Sequence, residues 1–410
     1  FQSNRLNKLG IRIILSENEQ IINSNFKNSK NTLIVFTPAI DKKNKILNYF
    51  KSNNFKIVKR SDLLADIVNS SFCIAIAGTH GKTTTTSILS HILYNSELKF
   101  TSFIGGVLNK YESNIMIRGS EIFIVEADEY DKTFLKMKPN IASILNVDGD
   151  HYDIYDDIDD INNSFKKFAN SLKKNGILFH NSTLNFNGIS FGEDSFADAK
   201  IINKKNYNDK LIFDIQYQNN VYKNIVLNML GDHNAFNAMA AFIIAISLDI
   251  ESEVIIKALK SFPGIKRRFS VELKNPKIFI DDYAHHPSEI ESIYNSVKSL
   301  YPNKKKLVIF QPHLFSRTRD FLREFAEALE KFDKIALLDI YPAREKPING
   351  VSSKSIFDKI NNKNKVLIEK SEIPELLFED EHELVISMGA GDIGDLVETI
   401  KKTIIDQDEN

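Results

Sequence analysis

Charge of one sign, cysteine and long apolar runs are what this chain has little of. Lys and Arg number 53 against 54 Asp and Glu, a net charge of -1. There is no basic excess to draw nucleic acid and no acidic solvating tail, so no nucleic-acid partner is expected. The one cysteine, Cys73, lies inside an apolar run and has no partner for an internal disulfide. That assigns it to core packing and leads to the expectation of a reducing, cytoplasmic setting. No apolar run approaches the roughly 20 residues of a membrane helix, and no charged-then-apolar segment opens the sequence, so membrane insertion is not expected. The first residues, FQSNRLNKLG, lack a methionine and pass directly into IRIIL. The first strand and loop of the N-terminal domain are therefore expected to be missing.

What remains is ordinary globular composition, 42% hydrophobic and 26% charged over 410 residues, enough for roughly two to four domains. The first block alternates short β-branched runs, Ile11 to Leu15 and Leu33 to Phe36, with polar helical stretches, as a small parallel α/β unit does. Thr37 and Ala39 follow the second run, and ligands gather at the carboxyl ends of strands in such sheets. A second block opens near Ser71, with strands predicted at 72–77, 122–125 and 141–145. DIDDINNSFKKFANSLKKNG predicts an amphipathic helix with Ile158, Ile161, Phe165, Phe168 and Leu172 on one face and Gly176 as its stop. A hairpin turning at Asn219 and Asn220 follows. LKSFPGIKRRF reads as a linker, and from about Lys277 a second doubly wound pattern begins with KIFID, KLVIF, KIALLD and ELVISM. The pattern predicts three α/β domains, at residues 1–70, 71–264 and 265–410.

The chemistry concentrates at strand ends. CIAIAGTHGKTTTT leads an apolar strand through Gly78, Thr79, His80 and Gly81 into Lys82, Thr83 and Thr84 at the start of a helix. Glycines there let successive N–H groups converge on an anion, Lys82 reaches terminal phosphates, and the Thr83 hydroxyl suits Mg2+. The loop is shorter than the common G-x-x-x-x-G-K-[ST] form; the strand before it and the helix after it supply the context. FIVEADEYD ends a strand with Glu126, the first candidate for a Mg2+ carboxylate, against the plainer reading of a solvated acidic loop. NVDGDHYDIYDD offers Asp148, Asp150 and His151. A calcium loop starting at Asp148 fails, because Asp153 stands where glycine is needed and Asp159 where glutamate is. LGDHNAFNA places His233, Asn234 and Asn237 in the first turns of a helix, either capping it or contacting a base. Lys266, Arg267 and Arg268 sit in the linker. DDYAHHPSEI and FQPHLFSRTRDF follow strands of the third block, so His285, His286, His313, Arg317 and Arg319 are expected to converge at one sheet edge. There they would hold a carboxylate and deprotonate an amine. His91, His180 and His382 read as structural.

Taken in order, GTHGKTTTT, EADEYD, LGDHNAFNA, DDYAHHPSEI, QPHLFSRTRDF and DIYPAREKPI resemble the Mur ligase family, and within it the alanine-adding branch. The resemblance implies a Rossmann-like N-terminal domain for a UDP-sugar, a central P-loop ATPase-like domain and a Rossmann-like C-terminal domain for the amino acid. It implies that ATP, with Mg2+, phosphorylates the lactyl carboxylate of UDP-N-acetylmuramate and that L-alanine captures the acyl phosphate, in a monomer or weak homodimer. By the same resemblance Gly78 to Thr84 surround the ATP phosphates, with Lys82 catalytic. Thr83, Glu126 and His151 bind Mg2+. Asn234, Asn237, Arg268 and Asp282 lie near the nucleotide, His285 and Arg317 near the alanine, with His285 as a catalytic candidate, and Thr37 and Ala39 near the UDP-sugar. Leu314 stands where the family pattern allows a further basic residue, which shifts alanine binding onto Arg317. The rival readings are a ligase that adds a recovered murein tripeptide to the same UDP-sugar, and a nucleotide-dependent switch.

Overall fold

The computed structural model describes residues 6–15, 18, 22–38, 40, 41, 43–148, 155, 157–207, 210–343, 345–378 and 381–408, with the side chains of 130, 131 and 408 set aside. It divides into two compact units, residues 1–70 and 71–410.

In the first unit, β1 (Leu33–Phe36) pairs in parallel with β2 (Lys56–Lys59), Leu33 opposite Lys56. The crossover helix Lys45–Ser52 starts where the Asn44 side chain accepts from the Leu47 amide at 3.0 Å, and it buries Leu47 and Phe50. Phe50 meets Phe55 edge-on at 4.9 Å. The predicted run at Ile11–Leu15 is not a strand, and Ile11, Ile14 and Leu15 are exposed. A β-branched run becomes a strand only when a neighbour satisfies its amides and carbonyls, and the two described strands pair only with each other.

The second unit holds two sheets. The first has ten strands: β3 (Phe72–Ala77), β4 (Phe100–Leu108), β5 (Ser113–Ile117), β6 (Ile122–Glu126), β7 (Ile141–Ile144), β8 (Ile177–Asn181), β9 (Ile189–Gly192), β10 (Ala199–Tyr207), β11 (Lys210–Tyr217) and β12 (Asn220–Leu227), in the order β12-β11-β10-β9-β8-β7-β3-β6-β4-β5. β3 lies between β6 and β7, parallel to both. The chain crosses from one side of β3 to the other between β6 and β7, so the carboxyl end of β3 is the switch point at which such sheets bind ligands. FCIAIA and IASI are apolar along almost their whole length because helices cover both faces of a parallel sheet. Cys73 is buried there, its thiol pushed up to about 12 mainly by that burial, which fits core packing. The helix Lys82–Tyr94 is itself buried along most of its length against the helix Asp232–Ile246.

Two local expectations shift. The amphipathic helix spans Ile158–Ala169, capped by the Asp157 side chain on the Asp160 amide at 2.8 Å, and stops before Leu172 and Gly176. The hairpin turns at Gln218 and Asn219, both at positive φ (51° and 61°), because Tyr217 already pairs with Asn220.

The second sheet orders β13 (Ser270–Leu273), β14 (Ile278–Asp282), β18 (Leu384–Met388), β15 (Lys306–Phe310), β16 (Lys334–Leu337) and β17 (Lys365–Leu367), parallel except for β13. Alternate residues feed cores on opposite faces: Ile280, Val308 and Ile386 on one, Phe279, Leu307 and Val385 on the other. Among the described residues no helix is long and apolar enough to cross a membrane.

Candidate active site

The loop after β3 is shaped by two glycines and one asparagine. Gly78 has φ +142° and Gly81 φ +83°, and a Cβ on Gly81 would lie 2.4 Å from Asn237 Oδ1. Asn146, just past β7, brackets the loop: its side chain accepts from the His80 amide at 2.7 Å and donates to the His80 carbonyl at 3.0 Å. No side chain caps the helix that begins at Lys82. Its first amides are left for an anion, with the positive end of the helix behind them. Gly81→Ala would force a side chain into a left-handed backbone, at about 1–3 kcal/mol, and into Asn237 as well. Its nucleotide affinity, measured by calorimetric titration, is expected to fall at least roughly tenfold; unchanged affinity would remove the loop from the binding role.

Lys82 and Thr83 point to two different carboxylates. Lys82 Nζ lies 2.8 and 2.7 Å from the oxygens of Glu129 and 2.6 Å from the Gly78 carbonyl. Glu129 is buried, and Tyr155 donates to its carbonyl at 2.8 Å. Thr83 Oγ1 donates to Glu126 Oε2 at 3.0 Å, and the Gly105 amide donates to the other oxygen. Burial pushes the Glu126 carboxyl up, opposed by the Gly105 amide, the Thr83 hydroxyl, Lys82 and Arg268. Among the described residues no three His, Cys, Asp or Glu side chains cluster as a metal centre. Thr83 and Glu126 together offer one hydroxyl and one carboxylate, an all-oxygen partial set that fits Mg2+ completed by phosphate and water. His151 and Asp150 lie outside the described residues. Asp148 is exposed, its carboxylate 3.8 Å from His80 Nε2.

Beside the loop opens a cavity of about 330 Å³, lined among others by His80, Gly81, Thr84, Asn146, His233, Asn234, Asn237, Arg268, Asp282 and Glu289. The two asparagines do not cap their helix, whose N-cap is Gly231. Asn234 Nδ2 instead holds the Leu230 carbonyl at 2.6 Å, while Asn237 touches both Asn234 and the Thr85 hydroxyl at 3.3 Å. Asp282 lines the cavity, but its carboxylate is spent on backbone, accepting from Phe269 N at 2.6 Å and Ala284 N at 2.7 Å. Burial lifts it to about 6 against Arg268 and those amides. It ties the linker to the loop after β14.

The expected convergence in the third block is partial. His285 and His313 rings lie 5.8 Å apart, and His313 stacks on Tyr341 at 5.8 Å. Burial lowers both histidines, and Arg317 beside them lowers them further, His313 to about 4. His286 turns away to cap the helix Pro287–Leu300 and packs edge-on against Phe321. Arg319 is half exposed and paired with Asp320 at 2.7 Å, outside the group. Leu314 opens the helix Phe315–Asp320 at φ +72°.

Two residues escape sequence reasoning. Asn146 follows a strand with nothing but its position to mark it. Glu289 had a signal: His286, Pro287 and Glu289 occupy the N-cap, N1 and N3 places of a capping box. In the first unit, Thr37 follows β1, and Ala39 lies outside the described residues.

A glycine-bearing strand-to-helix loop at the switch point of a mixed sheet, faced across a cavity by strand-end loops of a second sheet, is the arrangement of α/β proteins of the P-loop class. Family models match along the chain: "Mur ligase family, catalytic domain" at residues 1–72, "Mur ligase middle domain" at 76–245 and "Mur ligase, glutamate ligase domain" at 267–391. The UDP-N-acetylmuramate--L-alanine ligase of Christiangramia forsetii is 46% identical over 379 residues, 92% of this chain and 84% of the relative. That of Flavobacterium psychrophilum is 44% identical over 396 residues, 96% and 88%. A crystal structure of the Thermotoga maritima UDP-N-acetylmuramate-alanine ligase is alike in fold, with a TM-score of 0.81 at 24% identity over 100% of this chain and 91% of that one. The chain belongs to the Mur ligase family.

Proposed function

We propose that this protein is an ATP-dependent ligase that joins L-alanine to the lactyl carboxylate of UDP-N-acetylmuramate, a step in building peptidoglycan precursors. The observation that carries the reading is the cavity in which His80, Gly81 and Thr84, from the loop that carries Lys82 and Thr83, meet Arg268, Asp282 and Glu289, in a chain 46% identical to a ligase of that name. In this reading residues 1–70 take the UDP-sugar, with Thr37 and Ala39 near it, residues 71–264 take ATP, and residues 265–410 take the amino acid. The protein works in the cytoplasm as a monomer or weak homodimer.

A carboxylate oxygen attacks the γ-phosphorus of ATP; the bond to the bridging oxygen breaks, ADP leaves, and an acyl phosphate forms. The alanine nitrogen then bonds to the carbonyl carbon, inorganic phosphate leaves with its C–O bond, and the nitrogen gives up a proton. Two anions must meet in the first step, so Lys82 and the loop amides offset their repulsion and hold the transferring group in line. Thr83, Glu126 and His151 would hold Mg2+, which when bound neutralises charge on the phosphate oxygens. Asn234, Asn237 and Arg268 position the nucleotide, and Asp282 sets where Arg268 stands by anchoring the neighbouring Phe269 amide. His285 and Arg317 receive the amino acid, Arg317 pairing with its carboxylate.

Phosphate release with ATP, Mg2+ and UDP-N-acetylmuramate is expected to require L-alanine. Dependence on murein tripeptide would instead mark the tripeptide ligase, and release indifferent to both would mark a nucleotide switch.

A further inference from the structure

We propose that Glu289 is the positioning residue of this active site: one carboxylate that orients His285 toward the incoming amine and ties the third block's first loop to the phosphate loop. The proposal rests on the ligase reading above for the identity of that amine.

The capping role accounts for only part of what Glu289 does. Its Oε2 accepts from the amides of His285 at 2.9 Å and His286 at 3.2 Å, which is the cap. The same oxygen lies 3.3 Å from His285 Nδ1, and that nitrogen is 2.9 Å from the Tyr283 carbonyl. Both neighbours are acceptors, so Nδ1 carries the proton and the neutral ring keeps its lone pair on Nε2. A ring held in that tautomer can take the proton that leaves the amine as the C–N bond forms and phosphate departs. The second oxygen, Oε1, faces His80 Nδ1 at 3.8 Å and Arg268 Nη1 at 4.0 Å, one from the phosphate loop and one from the linker. A helix cap needs neither.

The charged and titratable groups around Glu289 come from every adjoining element: His80, Arg268, His285, Asp282 from β14 and His233 from the helix Asp232–Ile246. His285 in turn meets Arg317 and His313. Burial works against the Glu289 charge, but His285, Arg268, His80 and the amide bond outweigh it and hold the carboxyl well below its usual range.

The test compares Glu289→Gln and Glu289→Asp with the wild type. Gln keeps an acceptor for the two amides and loses only the charge. Its kcat/KM for L-alanine is expected to drop roughly tenfold or more. The acid limb of its pH profile should move down by about one pH unit, since the anion that favours protonated His285 is gone. Asp keeps the charge and should keep the limb where it is while losing rate. A second readout needs no turnover: NMR of isotope-labelled histidine should show His285 as the Nδ1-protonated tautomer in the wild type, with its midpoint lowered in Glu289→Gln and not in Glu289→Asp. An Nε2-protonated His285 in the wild type overturns the proposal even if Glu289→Gln fails to fold. So do an unmoved limb and midpoint in a Glu289→Gln protein that melts with the wild type. A wild-type protein without alanine-dependent phosphate release sinks the ligase reading instead, and the NMR result still decides for or against Glu289.

Discussion

Lys82→Ala is expected to lower alanine-dependent phosphate release by a factor of roughly a thousand or more, which corresponds to about 4 kcal/mol of lost transition-state stabilisation. Lys82 follows Gly81 at the very start of its helix, with Nζ already folded back over the phosphate loop onto the Gly78 carbonyl. No other lysine or arginine lies on the loop to replace it. From the sequence alone, the variant should turn over nothing and otherwise fold normally. The structure changes the second half of that expectation, because Lys82 is the counter-ion of Glu129, a carboxylate only 2% exposed. Removing one partner of a buried pair costs about 3–5 kcal/mol. Lys82→Ala should therefore melt early, and adding Glu129→Gln should restore much of the melting temperature without restoring turnover. Near-normal phosphate release in the single variant would remove the phosphate role. Failure of the double variant to recover in a calorimetric melt would remove the ion-pair account.

Glu126→Ala should raise the Mg2+ concentration needed for half-maximal rate by roughly tenfold or more. Removing the side chain also takes the acceptor from the Gly105 amide, which is exposed and can bond to water instead. Glu126→Gln isolates the metal effect: its amide oxygen can still accept from the Gly105 amide while its NH2 donates to the Thr83 hydroxyl, so the side chain stays in place and loses its charge. Both variants should show the same displaced Mg2+ titration, followed by phosphate release at fixed ATP. An unchanged midpoint in Glu126→Gln would mean that the carboxylate orients Thr83 and binds no metal.

The parts of the site that the chain announces locally are those on a single strand–loop–helix segment. An apolar strand, two glycines, a lysine and a threonine specify a phosphate loop because the glycine conformations, the helix start and the lysine reach all lie within a few residues. Glu126 is legible for the same reason, as an acid at the end of an apolar strand. Arg319 shows the limit of that kind of reading. It shares a segment with Arg317, yet its own neighbour Asp320 takes its guanidinium, and two residues of helix are enough to turn it to another face. His286 fails in the same way, since being next to His285 made it a cap and not a ligand. Asp282 lines the cavity, and its two carboxylate oxygens accept from backbone amides on either side of it, a tie that only the tertiary structure reveals.

By itself the amino-acid order determined the alternation of strands and helices, the strand–loop–helix segment that carries Lys82 and Thr83, the acid at the end of the Glu126 strand and membership of a ligase family through the ordered set of motifs. Only the tertiary structure decided that β3 lies between β6 and β7, which brings Glu126 and Asn146 to the loop from strands on either side. It also decided that Glu289 faces His80, Arg268 and His285 at once. Strand order and the packing of one sheet's loops against another's depend on burial summed over whole sheets, whereas a motif records only what its immediate neighbours in the chain require.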